Sequence, residues 1–550
     1  MSTAIRGRSQ GQGQWALGHR EPLNANERSK KDDNPLNVRT RIENIYAHRG
    51  FASIDPADLR GRFRWWGLYT QRRAGIDGGK TAVLEPHELD DEYFMLRIRI
   101  DGGQLSVAQL RAVAEVSTRF GRGTADITDR QNIQLHWVRI EDVPAIWEIL
   151  EGAGLSTQEA CGDCPRVILG SPVAGVAATE RIDARPLIDE ITRRYIGDRS
   201  FSNLPRKFKS AISWLPDIPY ECNDISFLGA EHPDYGPGYD LWVGGGLSTN
   251  PMLAQRTGTW VAPDRVPDVW AAVVSVFRDY GYRRLRNRAR LKFLIKDWGI
   301  ERFREVMETE YLGYRLPDLA APPVPDRLED HIGVHRQADG RYYIGVAPVV
   351  GRVSGQLLSD LADIAERHGS DRVSATPMQK LLVLDVPADR IDAATADLQR
   401  LGLEAAPSPW RRSTMACTGI EFCKLAIVDT KARAEALVAE LERRVPELDI
   451  PVSVHLNGCP NACARTQTAD FGLKGQLITV DGRQVPGFQV HLGGGHGVHA
   501  GFGRKLRGLK VTSAELDDYI ERVTRRYLAG RSDGEPFAAW VVRADEEELR

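Results

Sequence analysis

The chain is poor in cysteine, with seven in 550 residues. The number is odd, and no charged-then-apolar segment opens the sequence, so a disulfide framework is not expected and the cytoplasm is the expected compartment. No stretch approaches the roughly 18 consecutive apolar residues of a spanning helix, so no membrane partner is expected. The formal net charge of −2 offers no global attraction for nucleic acid or a membrane surface, and any electrostatic docking must use a local patch. No G-x-G-x-x-G follows a strand pattern, and nothing suggests a flavin or nicotinamide domain. What is present describes a globular protein, with 42% apolar and 27% charged residues. Its length exceeds one core and implies two to four domains. The opening residues (MSTAIRGRSQGQGQ) are polar and Gly/Gln-rich, an arm expected to be disordered or laid over another domain.

Four of the seven cysteines are grouped. Cys417 and Cys423 lie in MACTGIEFCKLA, Cys459 and Cys463 in LNGCPNACARTQ, giving C-x5-C and C-x3-C. A cubane needs four thiolates converging from different directions, which two short loops, each feeding a helix, can deliver. Pro460 stands where a first helical residue would sit, leaving free N–H groups to face an anionic cluster. Structural zinc usually separates its paired cysteines by two to four residues, so zinc is the weaker reading, and inert core cysteines are the bland one.

A Pro-rich stretch, LPDLAAPPVPD from Leu316 to Asp326, reads as a linker. Across it the sequence repeats weakly but in order. YFMLRIRIDGGQL matches YYIGVAPVVGRVSGQL, an alternating strand turning at glycine into an amphipathic helix. TDRQNIQLHWV matches TPMQKLLVLDV, EACGDC parallels MACTGIEFC, and LWVGGGLS parallels VHLGGGHG. Coincidental β-α-β patterning would explain one or two such matches, not four.

These motifs together resemble the siroheme- and [4Fe-4S]-dependent sulfite and nitrite reductases, from about Glu43 to Arg550, and most resemble the ferredoxin-dependent assimilatory sulfite reductases of actinobacteria. The resemblance implies an α+β fold with pseudo-twofold duplication. An arm (1–42) would precede a ferredoxin-like half-domain (43–150) and a siroheme/substrate unit (151–315). After the linker (316–326), a second half-domain (327–405) and a [4Fe-4S]/siroheme unit (406–550) would follow. It also implies that Cys417, Cys423, Cys459 and Cys463 hold the cubane, with Cys463 shared with the siroheme iron.

Siroheme carries eight carboxylates, so its site must be rich in cations and donors. TDRQNIQLH offers Arg130, Asn132, Gln134 and His136, alternate residues of an expected strand on one face. The triplets Gly244–Gly246 and Gly493–Gly495 either let backbone approach a macrocycle or are flexible turns. The resemblance assigns the substrate cations to Arg97, Arg166, Lys207 and Lys209. Lys207 and Lys209, two apart, fall on one side of an extended segment. Tyr69 and Cys161 are candidates for a thioether link near the substrate. Cys161 with Cys164 also fits a thiol–disulfide C-x-x-C, though no thioredoxin-like context surrounds it.

Electrons must come from outside, and reduced ferredoxin is the implied partner of what is expected to be a monomer. Two basic segments, Tyr282 to Lys296 (YRRLRNRARLKFLIK) and Arg504-Lys505 with Arg507, could dock it, clamp siroheme carboxylates or form a solvated helix face; helical spacing in the first favours structure plus cofactor contact. The implied reaction is six-electron reduction of sulfite to sulfide. Nitrite to ammonia is the rival within the family, and a non-catalytic iron–sulfur or zinc protein the rival outside it.

Overall fold

A computed structural model describes residues 23–550, so the first 22 residues of the expected arm lie outside the described part. Within it, twenty strands fall into four consecutive groups of five. The first is β1 (Leu68–Arg72), β2 (Asp90–Ile98), β3 (Gln104–Ser106), β4 (Thr124–Ile127) and β5 (Ile133–Val138). The second is β6 (Pro165–Gly170), β7 (Phe208–Ser213), β8 (Ile225–His232), β9 (Gly236–Val243) and β10 (Gln255–Val261). The third is β11 (Gly333–Arg336), β12 (Tyr342–Val346), β13 (Arg352–Ser354), β14 (Arg372–Ala375) and β15 (Leu381–Val386). The fourth is β16 (Thr414–Ala416), β17 (Val454–Asn457), β18 (Phe471–Val480), β19 (Arg483–Leu492) and β20 (Lys510–Thr512).

The first and third groups trade a strand. One sheet runs β1-β2-β5-β4-β13 and the other β11-β12-β15-β14-β3, with β13 antiparallel to β4 and β3 antiparallel to β14. An offset of 248 residues carries β3, β4 and β5 onto β13, β14 and β15. The same offset carries Gln131 (φ 57°) onto Gln379 (φ 59°) and Trp137 (φ 62°) onto Asp385 (φ 60°). Non-glycine residues rarely adopt this backbone, so its recurrence at one offset marks a true duplication.

Local sequence explains the two central helices. Ser106 and Gln109 form a reciprocal capping box at the start of the helix Val107–Phe120, and Ser354 caps the helix Gly355–Arg367 in the same place. Leu110 and Val113 on the first helix and Leu358 and Leu361 on the second are buried in one core shared by both halves. Gly103 and Gly351 have positive φ, and side chains there would overlap Gln131 with the Ala375 carbonyl, or Gln379 with the Ile127 carbonyl.

The second and fourth groups have one topology. β6, β7 and β8 are parallel, with β9 and β10 antiparallel; β16, β17 and β18 are parallel, with β19 and β20 antiparallel. Asp481-Gly482, both at positive φ, make the two-residue hairpin between β18 and β19. Each sheet has its own core, around Trp270 and Phe277 in one and Tyr527 and Trp540 in the other. The molecule is thus a mixed α+β fold of three compact units. The stretch from Leu316 to Asp326 forms no helix and only a single bridge, Asp318 to Thr259.

The structure corrects three expectations. Thr128 to Asn132 is a turn rather than strand, because the Thr128 hydroxyl accepts from the Arg130 and Asn132 amides and β5 starts only at Ile133. The run from Tyr282 to Lys296 is not one helix. Only a short turn, Arg286–Arg288, precedes the helix at Leu291, because Arg283, Arg286 and Arg290 each reach a different carboxylate, Glu27, Asp163 and Asp224. Finally, EACGDC is not the counterpart of MACTGIEFC. The Gln131 carboxamide bonds Gly170 at the end of β6 in both directions, and Gln379 bonds Ala416 at the end of β16 likewise. Ser171 therefore answers to Cys417, whereas Cys161 and Cys164 precede β6.

Candidate active site

The C-terminal ends of parallel neighbours deliver the grouped cysteines: Cys417 directly follows β16, and Cys459 stands two residues beyond β17. The Cys417 sulfur accepts from the Gly458 amide at 3.2 Å and from Gly419; Leu425 and Ala426 donate to Cys423, and Asn461 to Cys459. Pro460 begins no helix, so loop amides play the part expected of a helix start. Burial, then the neighbouring thiols, raises the pKa of Cys417 to about 12 and those of Cys423 and Cys459 upward, with Cys463 acting on all three. Four sulfurs that feel one another and are ringed by amide donors fit an iron–sulfur cluster, which places one thiolate on each of four irons. The first half covers this loop: the Arg72 amide donates to the Phe422 carbonyl at 2.8 Å, and its guanidinium reaches the carbonyls of Lys424 and Ala426 at 3.4 Å.

Beside the cysteines lies a cleft lined by Arg130, Lys207, Lys209, Arg290 and Arg465, with Asp129 the sole carboxylate in its wall. Burial, then Arg130, depresses the Lys209 ammonium to about 8. Lys207 is pushed well below its ordinary value by burial, then by Lys209, Arg290 and Arg166, while Cys463 pulls both lysines the other way. The Cys463 charge therefore reaches both the other three grouped thiols and the two lysines. Arg130 donates to the Asn223 side chain at 2.8 Å and to the Val167 carbonyl at 2.6 Å, and burial lowers it to about 10. The buried Nε atoms of Arg97, Arg130 and Arg465 have no partner. Cations forced together, with donors left over, are what a macrocycle of eight carboxylates would satisfy, so the residues present fit siroheme.

At one side of this region Arg97 and Arg166 meet Cys161. Arg97, on β2, donates through Nη1 to the Cys161 sulfur at 2.9 Å and through Nη2 to the Gln134 carbonyl oxygen at 2.6 Å. Arg166 is fixed by the carbonyls of Gly162 (3.1 Å) and Ala160 (3.2 Å). Burial opposes a thiolate at Cys161, but Arg97, Arg166, the Tyr69 hydroxyl and Lys207 outweigh it and hold the thiol below its ordinary range. Tyr69 is raised to about 12 by burial and then by Cys161. Cys164 donates instead to the Cys161 carbonyl at 2.8 Å, and no disulfide joins the two sulfurs.

Not every expected residue reaches the cleft. Asn132 is buried and accepts from the Ile100 amide at 3.3 Å. His136 pairs with Asp126 at 2.9 Å and stacks on Phe422 at 3.8 Å, a contact between halves. In the glycine triplets the close approach seen is to protein backbone: side chains at Gly245 and Gly494 would overlap the carbonyls of Glu221 and Gln467. Arg290, within the basic run for which cofactor contact is expected, lines the cleft, and so does Arg465, which residue order alone did not single out. The signal for Arg465 is its place two residues beyond Cys463 in CARTQ.

Comparison with known proteins agrees with this geometry. A model of the nitrite and sulphite reductase 4Fe-4S domain matches residues 161–316 and 409–550. A model of the nitrite/sulfite reductase ferredoxin-like half domain matches 87–153 and 335–401, so each family unit occurs twice. The chain is 60% identical over 555 residues to "Sulfite reductase [ferredoxin]" of Mycobacterium tuberculosis, covering 100% of both chains. It is 36% identical over 514 residues to "Ferredoxin--nitrite reductase" of Synechococcus elongatus, covering 92% of this chain and 96% of the other. The solved Mycobacterium tuberculosis NirA protein superposes with a TM-score of 0.96 at 60% identity, covering 99% of this chain and 100% of that one.

Proposed function

The chain belongs to the nitrite and sulfite reductase family, and on that premise we propose that it reduces sulfite to sulfide with six electrons from reduced ferredoxin, as a cytoplasmic monomer. The observation that carries the choice of substrate is the 60% identity, end to end, with ferredoxin-dependent sulfite reductases, against 35% to 37% for the nitrite reductases. The protein is an oxidoreductase that uses siroheme and a [4Fe-4S] cluster.

In this reading Cys417, Cys423, Cys459 and Cys463 would hold the cluster, and Cys463, whose charge acts on the other thiols and on both lysines, would be the cysteine next to siroheme. Arg130, Arg290 and Arg465 would hold the macrocycle's carboxylates. Siroheme and the cluster, when bound, would supply the electrons of the reduction. The protein's part is charge and protons. Arg97, Arg166, Lys207 and Lys209 bind an oxyanion that carries two negative charges and orient its oxygens. Sulfite takes up six electrons and six protons and loses its three oxygens as water. An ammonium held near pKa 8, as at Lys209, gives up a proton more readily near neutrality than an ordinary lysine.

Tyr69 and Cys161 form a thioether in this reading. The ring gives up a C–H and the thiol its S–H, and two electrons pass to an external oxidant such as dioxygen. The support is the hydrogen bond between them and the cationic surroundings that favour the thiolate. The deciding experiment is turnover of sulfite and nitrite side by side with reduced ferredoxin. A kcat/KM for nitrite above that for sulfite would reverse the assignment.

A further inference from the structure

The described part of the N-terminal arm packs against the segments that lead into the cleft, at Leu204, Asp163 and Arg283. Its helix, Ala25–Asp32, is capped by Asn24, whose side chain also donates to the Arg283 carbonyl at 2.7 Å. From this helix Lys30 reaches inward and is almost wholly buried, with 7% of its surface exposed. Its ammonium lies 2.6 Å from Glu27 and 3.6 Å from Asp163, and donates to the Leu204 carbonyl at 2.8 Å.

Asp163 is the centre of this arrangement. Arg286 grips it with both terminal nitrogens, at 2.7 and 3.0 Å, and Arg206 reaches it at 3.4 Å. Its own carbonyl accepts from the Leu204 amide at 2.9 Å. Leu204 is thus held on both sides, by Asp163 and by Lys30. The segment from Leu204 leads through Arg206 directly to Lys207. In the other direction, Asp163 lies two residues after Cys161 and three before Arg166. One buried carboxylate therefore joins the arm, the Cys161 loop, the approach to Lys207 and the basic run. Burial works against its charge, and Lys30, Arg286 and Arg206 more than offset it, keeping it ionised.

We propose that Lys30 and Asp163 are positioning residues for sulfite reduction, setting the spacing between Cys161 and Arg166, at the entry to β6, and Lys207 on the neighbouring segment. Neither touches the cleft, since neither lines it. A buried ion pair that only filled space could be replaced by apolar groups at little cost, whereas removing one partner strands the other charges. Here the stranded charges would belong to the two segments that carry the substrate cations. A displacement of about 1 Å in such groups costs about 100-fold in rate.

The proposal rests on the sulfite reading, and wild-type turnover keeps the two apart: wild-type holoenzyme that reduces no sulfite overturns that reading and this proposal with it. With turnover established, Lys30→Met and Lys30→Arg holoenzymes are compared for visible spectrum, melting temperature, kcat, KM and the dissociation constant of sulfite from spectral titration. Lys30→Met is expected to keep the cofactor spectrum, to lose about 100-fold in kcat/KM, and to bind sulfite about tenfold more weakly, with Lys30→Arg recovering most of the loss. If Lys30→Met yields no holoenzyme, Arg206→Gln at the more exposed edge of the same cluster takes its place, with losses of the same direction. A variant that melts lower while kcat, KM and the sulfite titration stay within about twofold of wild type shows a merely structural pair and overturns the proposal.

Discussion

Gln134 donates through its amide nitrogen to the Thr418 hydroxyl at 2.9 Å, tying β5 of the first half to the residue after Cys417. Its carbonyl oxygen at the same time accepts from Arg97. One carboxamide thus sets the Arg97 guanidinium, proposed to bind the substrate, relative to the cysteine loop. Gln134→Leu should raise the KM for sulfite about tenfold while leaving iron content unchanged, since the lost contact orients a cation and ligates nothing. An unaltered KM would deny Gln134 that role.

Lys207→Ala and Lys209→Ala should each retain the cofactor spectrum and lose about 100-fold or more in turnover, the usual scale for a positioned proton donor. Steady-state rates with reduced ferredoxin and with a reduced dye check this. Loss in both assays places the defect at the chemistry, whereas loss with ferredoxin alone would place it at donor docking.

Much of this candidate site is legible from residue order because short-range chemistry leaves short-range signals. Cys417, Cys423, Cys459 and Cys463 sit in two compact loops, and Lys207 and Lys209 have the two-residue period of an extended segment. His136 misled because its alternation with Gln134 is real, yet that face of β5 packs between the halves, where Asp126 and Phe422 wait. Asn132 misled because the Thr128 side chain closes a turn that periodicity does not report. The pairing of EACGDC with MACTGIEFC failed for another reason. The register is set by Gln131 and Gln379, each bonding a strand end some forty residues away in sequence.

Cys417→Ser should abolish the cluster, seen as loss of iron and acid-labile sulfide and of the broad brown absorbance. Cys164→Ser should leave iron unchanged, because the buried Cys164 thiol is engaged with the Cys161 carbonyl. Iron analysis of both proteins is the check, and iron loss from Cys164→Ser alone would reverse the ligand assignment.

If Tyr69 and Cys161 are joined, intact-protein mass will fall about 2 Da below the sequence value, two hydrogens having left with the thiol proton and a ring proton. Tyr69→Phe should restore the full mass. Recovery of separate, unmodified Tyr69 and Cys161 peptides from the wild type would rule the link out.

Glu159 provides a pH test. It is wholly buried, accepting from the Ser202 hydroxyl at 2.6 Å and the Gly197 amide at 2.8 Å, and burial raises its pKa to about 7. The folded protein therefore holds this proton more tightly than the unfolded chain, so stability falls as pH rises from the ordinary carboxylate range through about 7. The full effect is on the order of 3 kcal/mol. Glu159→Gln keeps both contacts, with Ser202 turned to accept, and cannot ionise. Melting curves at about pH 5 and pH 8 should show the variant gaining on wild type at the higher pH; a constant difference would mean that Glu159 is charged throughout.

The traded strands β3 and β13 have a consequence for how the chain comes into being. On the ribosome the sheet of the first half must wait for residues 352–354 before its last edge is covered, more than two hundred residues after β4 has been made. Until then that edge offers unpaired amides and carbonyls to any passing strand. The two halves of the gene, expressed as separate polypeptides, should each be aggregation-prone, and soluble protein should return when they are made together, each completing the other's sheet.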